Sequence, residues 1–222
     1  MPALAAFIVL LRLRTAAPDP ALYDPASRTS DAKQLTVTTH LPARFWIYAA
    51  FSAATMLGFA TWAVVAFHLT VRHVVGPGVV PVLYAVAMGA AAIASLVFGR
   101  IYDRMGLRGL VVLPVLAALA PILTFSQSVA GVTAGALVWG VAMGVHESTM
   151  RAAVTDLVPP ERRGAGYGTF TAIYGLAWLA GAATIGLLYE RSVPDVETFV
   201  IVVQALAVCL LLPLLRRPRT SG

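Results

Sequence analysis

Only one cysteine, Cys209, occurs in 222 residues. A disulfide framework needs at least two, and a cysteine-based zinc site needs more, so both are excluded. Cys209 lies in an apolar run, where a lone thiol packs as a small hydrophobe. Charge is scarce too: charged residues make up 12%, against about a quarter in a soluble domain. Apolar residues make up 59% and the mean hydropathy is +0.82. So small a globule cannot bury that much apolar surface, which places the chain in the membrane class. The pattern G-x-x-x-x-G-K-[ST] is missing, so no ATP site is expected. G-x-S-x-G is missing as well, and no Ser and His pair suggests a membrane serine protease. Neither an enzyme nor a cofactor is expected. A pI near 10.0 would suit nucleic acid, but the basic residues form short clusters between apolar runs, so no nucleic-acid partner is expected.

What is present is a series of long apolar runs. Six are placed at Phe45–Leu69, Val79–Phe98, Gly109–Ser126, Ala130–Thr155, Ala165–Tyr189 and Thr198–Leu215. Each is long enough to cross a bilayer as a helix, which takes about 20 residues. Lipid offers the backbone no hydrogen bonds, so helices are forced, and the short alternating segments of a β-barrel are absent. The fold class expected is all-α, a polytopic bundle of six transmembrane helices spanning 45–217, with a short tail at 218–222. Ahead of it, 15–44 is polar and holds Pro18, Pro20, Pro25 and Pro42, which reads as a linker. The first stretch, 1–14, has an apolar core at Ala3–Leu11 followed by Arg12 and Arg14. That is the reverse of a secretory signal, and the core is too short to span. It is expected to be the last turns of a preceding helix.

Basic residues set the expected orientation. Arg12, Arg14, Arg28, Lys33 and Arg44 precede the first run. Arg100, Arg104 and Arg108 fall between the second and third. Arg151, Arg162 and Arg163 lie at or between the fourth and fifth, and Arg216, Arg217 and Arg219 follow the sixth. Fourteen basic residues thus share one side, and only Arg72 and Arg191 lie on the other. By the positive-inside rule both ends of the six-helix block face the cytoplasm of an inner membrane. Gly140 and Gly144, Gly164 and Gly168, and Ala177 and Gly181 are each four apart. That spacing lets helix backbones approach closely in a membrane.

Two loops carry a resemblance. "GRIYDRMGLRG", Gly99–Gly109, resembles the cytoplasmic signature G-x-x-x-D-R-x-G-R-R of the major facilitator superfamily. Gly99, Asp103, Arg104, Gly106 and Arg108 match, and Leu107 stands where the family often has a basic residue. "VPPERRGAGYGTF", Val158–Phe170, is similar to the family's loop between helices ten and eleven, with Pro159, Arg163, Gly164 and Gly168 in register. Pro2–Arg14 resembles the end of helix six. The resemblance implies helices seven to twelve of a twelve-helix carrier, working by rocking two halves about a midplane site. It implies a small organic solute as substrate and proton coupling. It also implies a partner, either a separately encoded first half or a second copy. The alternative is a truncated membrane protein that transports nothing. In the family the acid at Asp103 bridges to the opposite half. By local physics, Gly99 would permit a close turn, Gly106 would take a positive φ, Asp103 would cap a helix start, and Arg104 would pair with Asp156. Solvated charges that merely set topology remain the other reading of Asp103 and Arg104.

The candidate site lies in "GVHESTMRAAVTDL", Gly144–Leu157. His146–Glu147 opens like the zinc motif H-E-x-x-H, but Met150 stands where the second histidine is required, so no metal is expected. Glu147 is the only acid inside a run. It lies 16 residues from Gly131, about 24 Å along a helix, which puts it in the cytoplasmic half. A charge there is costly in lipid and should face protein or a wet cavity. Arg151, four residues on, would share its helix face. Two readings stand: an internal ion pair tying the bundle, or His146 and Glu147 in a substrate or proton path. Trp62, Tyr174 and Trp178 are placed near the cavity, where aromatics suit an amphipathic organic solute. Trp46 and Tyr48 are expected to anchor at the membrane interface.

Overall fold

The computed structural model describes residues 41–215, and the side chain of Arg151 is outside what it describes. The expected helix remnant at 1–14, most of the 15–44 linker and the 218–222 tail therefore lie outside the described residues. All regular structure among the described residues is helical. The helices are α1 (Ala43–Leu57), α2 (Trp62–Val71), α3 (Val79–Met105), α4 (Val112–Thr124), α5 (Val129–Leu157), α6 (Arg163–Arg191) and α7 (Val193–Leu215). Short 3-10 turns at Gly106–Val111 and Pro160–Arg162 precede α4 and α6.

Five helical stretches are long and apolar enough to cross a bilayer, the second being Val79–Thr124 with 46 residues. That stretch doubles back. Ala87 and Ala91 of α3 lie on Gly140 and Gly144 of α5, so α3 and α5 run the same way. Thr124, the last residue of α4, lies on Gly135 near the start of α5, so α4 runs the opposite way. The reversal occurs at Gly106, with φ +57°. A β-carbon is disfavoured in that region, and glycine adopts it freely. The described residues therefore make six passes.

The alternation continues around the bundle. α1 runs antiparallel to α7, with Arg44 donating to the Leu214 carbonyl at one end and Gly58 against Val203 and Gln204 at the other. It runs parallel to α6, through Tyr48 on Phe170 and Leu57 on Gly181. Ser128 caps α5 by accepting from the Gly131 amide at 3.1 Å. Ser192 separates α6 from α7 in extended backbone and accepts from the Asp195 amide.

The glycines make the close contacts. A β-carbon at Gly140 would overlap the Ala87 carbonyl, one at Gly144 the Ala91 carbonyl, and one at Gly181 the Leu57 carbonyl. Two of the three expected small-residue pairs thus contribute to packing. The third does not: nothing lies within 4 Å of a β-carbon at Gly164 or Gly168.

The largest departure from the sequence reading is in the first run. Phe45–Leu69 was expected as one helix, yet it breaks at Gly58–Thr61, halfway across. Gly58 closes α1 and Thr61 is extended, with φ −71° and ψ 150°. A break inside a membrane frees carbonyls that lipid cannot satisfy. Here side chains take them. Gln204 Nε2 donates to the Thr55 carbonyl at 3.0 Å, and Trp139 Nε1 donates to the Ala60 carbonyl at 2.7 Å. Gly58 leaves room for this, because a β-carbon there would meet Gln204 Nε2 at 2.9 Å and Val203 at 3.1 Å.

The loop signature also sits differently. α3 extends to Met105, so Gly99, Asp103 and Arg104 are helical. Gly99 makes no close turn and has open space around it. Asp103 is exposed in the last turn of α3, at the negative end of the helix dipole, and so does not cap a helix start. Asp156 accepts from Tyr102 Oη at 2.9 Å, and no salt bridge joins it to Arg104 among the described residues. Tyr102 is 6% exposed and faces α5, whereas Arg104 points outward. Helix phase decides between them.

This packing makes three substitutions testable. Gly140→Leu should lower the unfolding free energy in detergent by about 1–3 kcal/mol through overpacking, while Gly168→Leu should stay within about 0.5 kcal/mol. Reversible unfolding in mixed micelles reads both. Gln204→Leu should cost about 0.6–2 kcal/mol, the range for a membrane hydrogen bond. It should also speed amide exchange selectively at the α1–α2 break.

Candidate functional site

The break brings polar and aromatic groups to mid-membrane. Gln204 is the central residue of α7, and Tyr174 and Trp178 flank the centre of α6. α5 has 29 residues, about 43 Å, so it outruns a hydrocarbon core of about 30 Å at both ends. His146 lies three residues past its centre. The site is therefore closer to the midplane than the count from Gly131 suggested.

His146 is 1% exposed, and neither ring nitrogen has a hydrogen-bond partner. A buried imidazole carries a donor and an acceptor, and each costs free energy when unmade. Its surroundings are aromatic. Phe59, carried by the break, meets its ring edge-on at 5.3 Å, and Tyr174 does so at 6.2 Å. Phe59 stacks on Trp139 at 5.7 Å, Trp139 meets Trp62 at 5.2 Å, and Trp62 meets Tyr84 at 5.3 Å. In the other direction Tyr174 meets Phe170 at 5.8 Å, which stacks on Tyr48 at 5.6 Å. The rings thus form one continuous column through the bundle. Ring pairs of this kind add about 0.5–1.5 kcal/mol each beyond burial.

The structure distributes the expected site residues unequally. His146, Trp62 and Tyr174 belong to the column, and Trp178 joins its edge, 6.4 Å from Tyr174 and 36% exposed. Glu147, one residue on, is exposed rather than buried with His146. The interior position expected for the acid is taken by its neighbour, because one residue turns a helix by about 100°. The Glu147–Arg151 pairing lies outside the described residues, since the Arg151 side chain is not among them. Met150, the residue that spoils the zinc motif, accepts from Tyr48 Oη through its carbonyl at 3.1 Å and through its sulfur at 3.4 Å. Tyr48 is fully buried and so does not anchor at the interface, whereas Trp46 is 48% exposed.

The loop residues gather at the other end of the bundle. Pro159 is extended ahead of the 3-10 turn, Arg163 opens α6, and its guanidinium reaches the Thr155 carbonyl. Thr155 and Tyr167 share a 2.6 Å hydrogen bond. Gly164, Gly168 and Arg108 are at the surface. At the end opposite these loops, His68 bonds Tyr189 Oη through Nδ1 at 2.9 Å and packs on Phe125. It is thus partnered where His146 is not.

Sequence reasoning missed Phe59, Trp139, Tyr84 and Gln204. Two signals were available: Gly58 in the middle of an apolar run, and Gln204 as an amide in the centre of another. Either would have pointed to irregular backbone at mid-membrane.

The sequence matches the Major Facilitator Superfamily over residues 1–182 and again over 49–221. It is 39% identical over 221 residues to an uncharacterized protein of Mycobacterium bovis and to another of Mycobacterium tuberculosis. Each alignment covers 100% of this chain and 54% of the relative. The chain thus spans about half the length of the curated relatives it matches. Six alternating passes, a glycine reversal after the D-R signature and a match over the whole chain lead to one conclusion: this is a membrane protein that belongs to the major facilitator superfamily, a family of transporters.

Proposed function

We propose that the chain is one six-helix half of a secondary active carrier and that its midplane, around His146, contacts a small organic solute. The observation that carries this reading is the discontinuous α1–α2 helix beside a buried histidine with two unpartnered nitrogens. Carrier folds form their sites at mid-bilayer, where helices are interrupted and side chains take over the freed backbone groups. The aromatic column supplies apolar contact, and the imidazole supplies direction.

The working carrier, in this reading, has a second six-helix set, from a first half or another copy. The relatives are nearly twice as long as the chain. α6 is the least buried of the long helices, and Leu176, Leu179 and Leu187 lie open along it. The distribution of basic residues supports an inner membrane with both ends of the block cytoplasmic. Glu147, ionisable and exposed mid-span, supports proton coupling, because such a group is costly against lipid and favoured against a water-filled path. Asp103 and Arg104 then serve at the cytoplasmic face, where they reach the other half.

Three outcomes test the reading. The purified chain in liposomes should show no uptake of radiolabelled aromatic metabolites, and co-reconstitution with a six-helix first half should restore it; robust uptake by the chain alone would overturn the half-carrier reading. In the restored carrier His146→Ala should lower uptake about tenfold or more, the equivalent of one lost hydrogen bond of ~1.4 kcal/mol. Glu147→Gln should flatten the pH dependence of uptake, and an unchanged profile rules Glu147 out as the coupling acid.

A further inference from the structure

The ring that covers His146 is the chain's own. Phe59 lies against both Trp139, 5.7 Å away and 28° from parallel, and His146, 5.3 Å away and 66° from parallel. It is carried by the four non-helical residues Gly58–Thr61. Its backbone amide is held by the Met56 carbonyl at 3.1 Å, and the next carbonyl by Trp139 Nε1. Trp139 and His146 sit on the same rigid helix, seven residues apart and so on one face. Two walls of the slot are therefore fixed, and the ring between them is on the segment with the fewest helical hydrogen bonds.

An imidazole with both nitrogens unmade is an unstable arrangement unless another state satisfies it. Phe59 cannot, because it has no polar atom. A molecule that placed its own aromatic ring against Trp139 and a hydroxyl or amide on His146 would keep the stacking and restore the hydrogen bond. We propose that Phe59 is a removable plug, and that the slot between Trp139 and His146 binds a neutral aromatic ligand carrying a hydrogen-bonding substituent at the ring edge. Phe59 occupies the ligand's place in the closed state and leaves by a torsional change confined to Gly58–Thr61. This names the substrate class of the carrier proposed above, and its role in transport rests on that reading. The binding chemistry does not, because the chain alone can be tested for it.

The probes are phenol, with toluene as the ring without the hydroxyl, at matched membrane concentrations. The chain is labelled with 15N-histidine in lipid nanodiscs, and His146→Ala assigns the resonance. Wild type should show a saturable phenol-dependent shift of the His146 nitrogens, with little response to toluene. Phe59→Ala should bind phenol about tenfold more tightly, and Phe59→Leu should gain less. The double variant with His146→Ala should bind phenol and toluene alike. Toluene matching phenol in Phe59→Ala would overturn the role of the imidazole. Binding in Phe59→Ala but none in wild type would make Phe59 a fixed core ring, and would sink the plug while leaving the carrier reading intact.

Discussion

A peptide group in hydrocarbon has no water to bond, and that constraint shapes the whole molecule. It forces every crossing segment into a helix, and it governs what happens where a helix stops. The stop at Gly58–Thr61 is tolerated because Gln204 and Trp139 reach the exposed carbonyls from α7 and α5. These two hydrogen bonds tie the broken segment to two other helices. The polar centre of the bundle is thus a consequence of backbone accounting, and the candidate site is built around it.

Close packing follows from the same lack of solvent. Lipid tails are as apolar as leucine, so helices gain by fitting together rather than by escaping water. Gly140, Gly144 and Gly181 allow backbone to lie against backbone, and they join α5 to α3 and α6 to α1. Those contacts hold α5 steady, so Trp139 and His146 keep a fixed separation.

Much of the fold was legible because it depends on length and composition. Apolar runs of about 20 residues read directly as spans, and Gly106 was read with the positive φ it has, although the close turn was assigned to Gly99. Less of the site was legible. His146 and Glu147 are adjacent in sequence, and the polar residues beside them, Ser148, Thr149 and Arg151, fall on several faces of the helix, so the sequence carried no clear phase to say which points inward. Asp103 shows the same limit: the loop was placed correctly, but the helix runs seven residues further than expected, from Phe98 to Met105. Tyr102 rather than Arg104 meets Asp156 because a two-residue step turns a helix by about 200°.

Membrane class, family and the apolar runs of 41–215 were already readable in the sequence, because hydrophobic length and two loop motifs are local properties. Tertiary structure alone decided which groups meet. Gln204 lies 149 residues from the carbonyl it satisfies, and Trp139 lies 79 from the one it satisfies. Neither partnership leaves a trace in local pattern. Each is set by how three helices pack around the break at Gly58, and that packing makes a histidine in an apolar run the best candidate for a ligand contact.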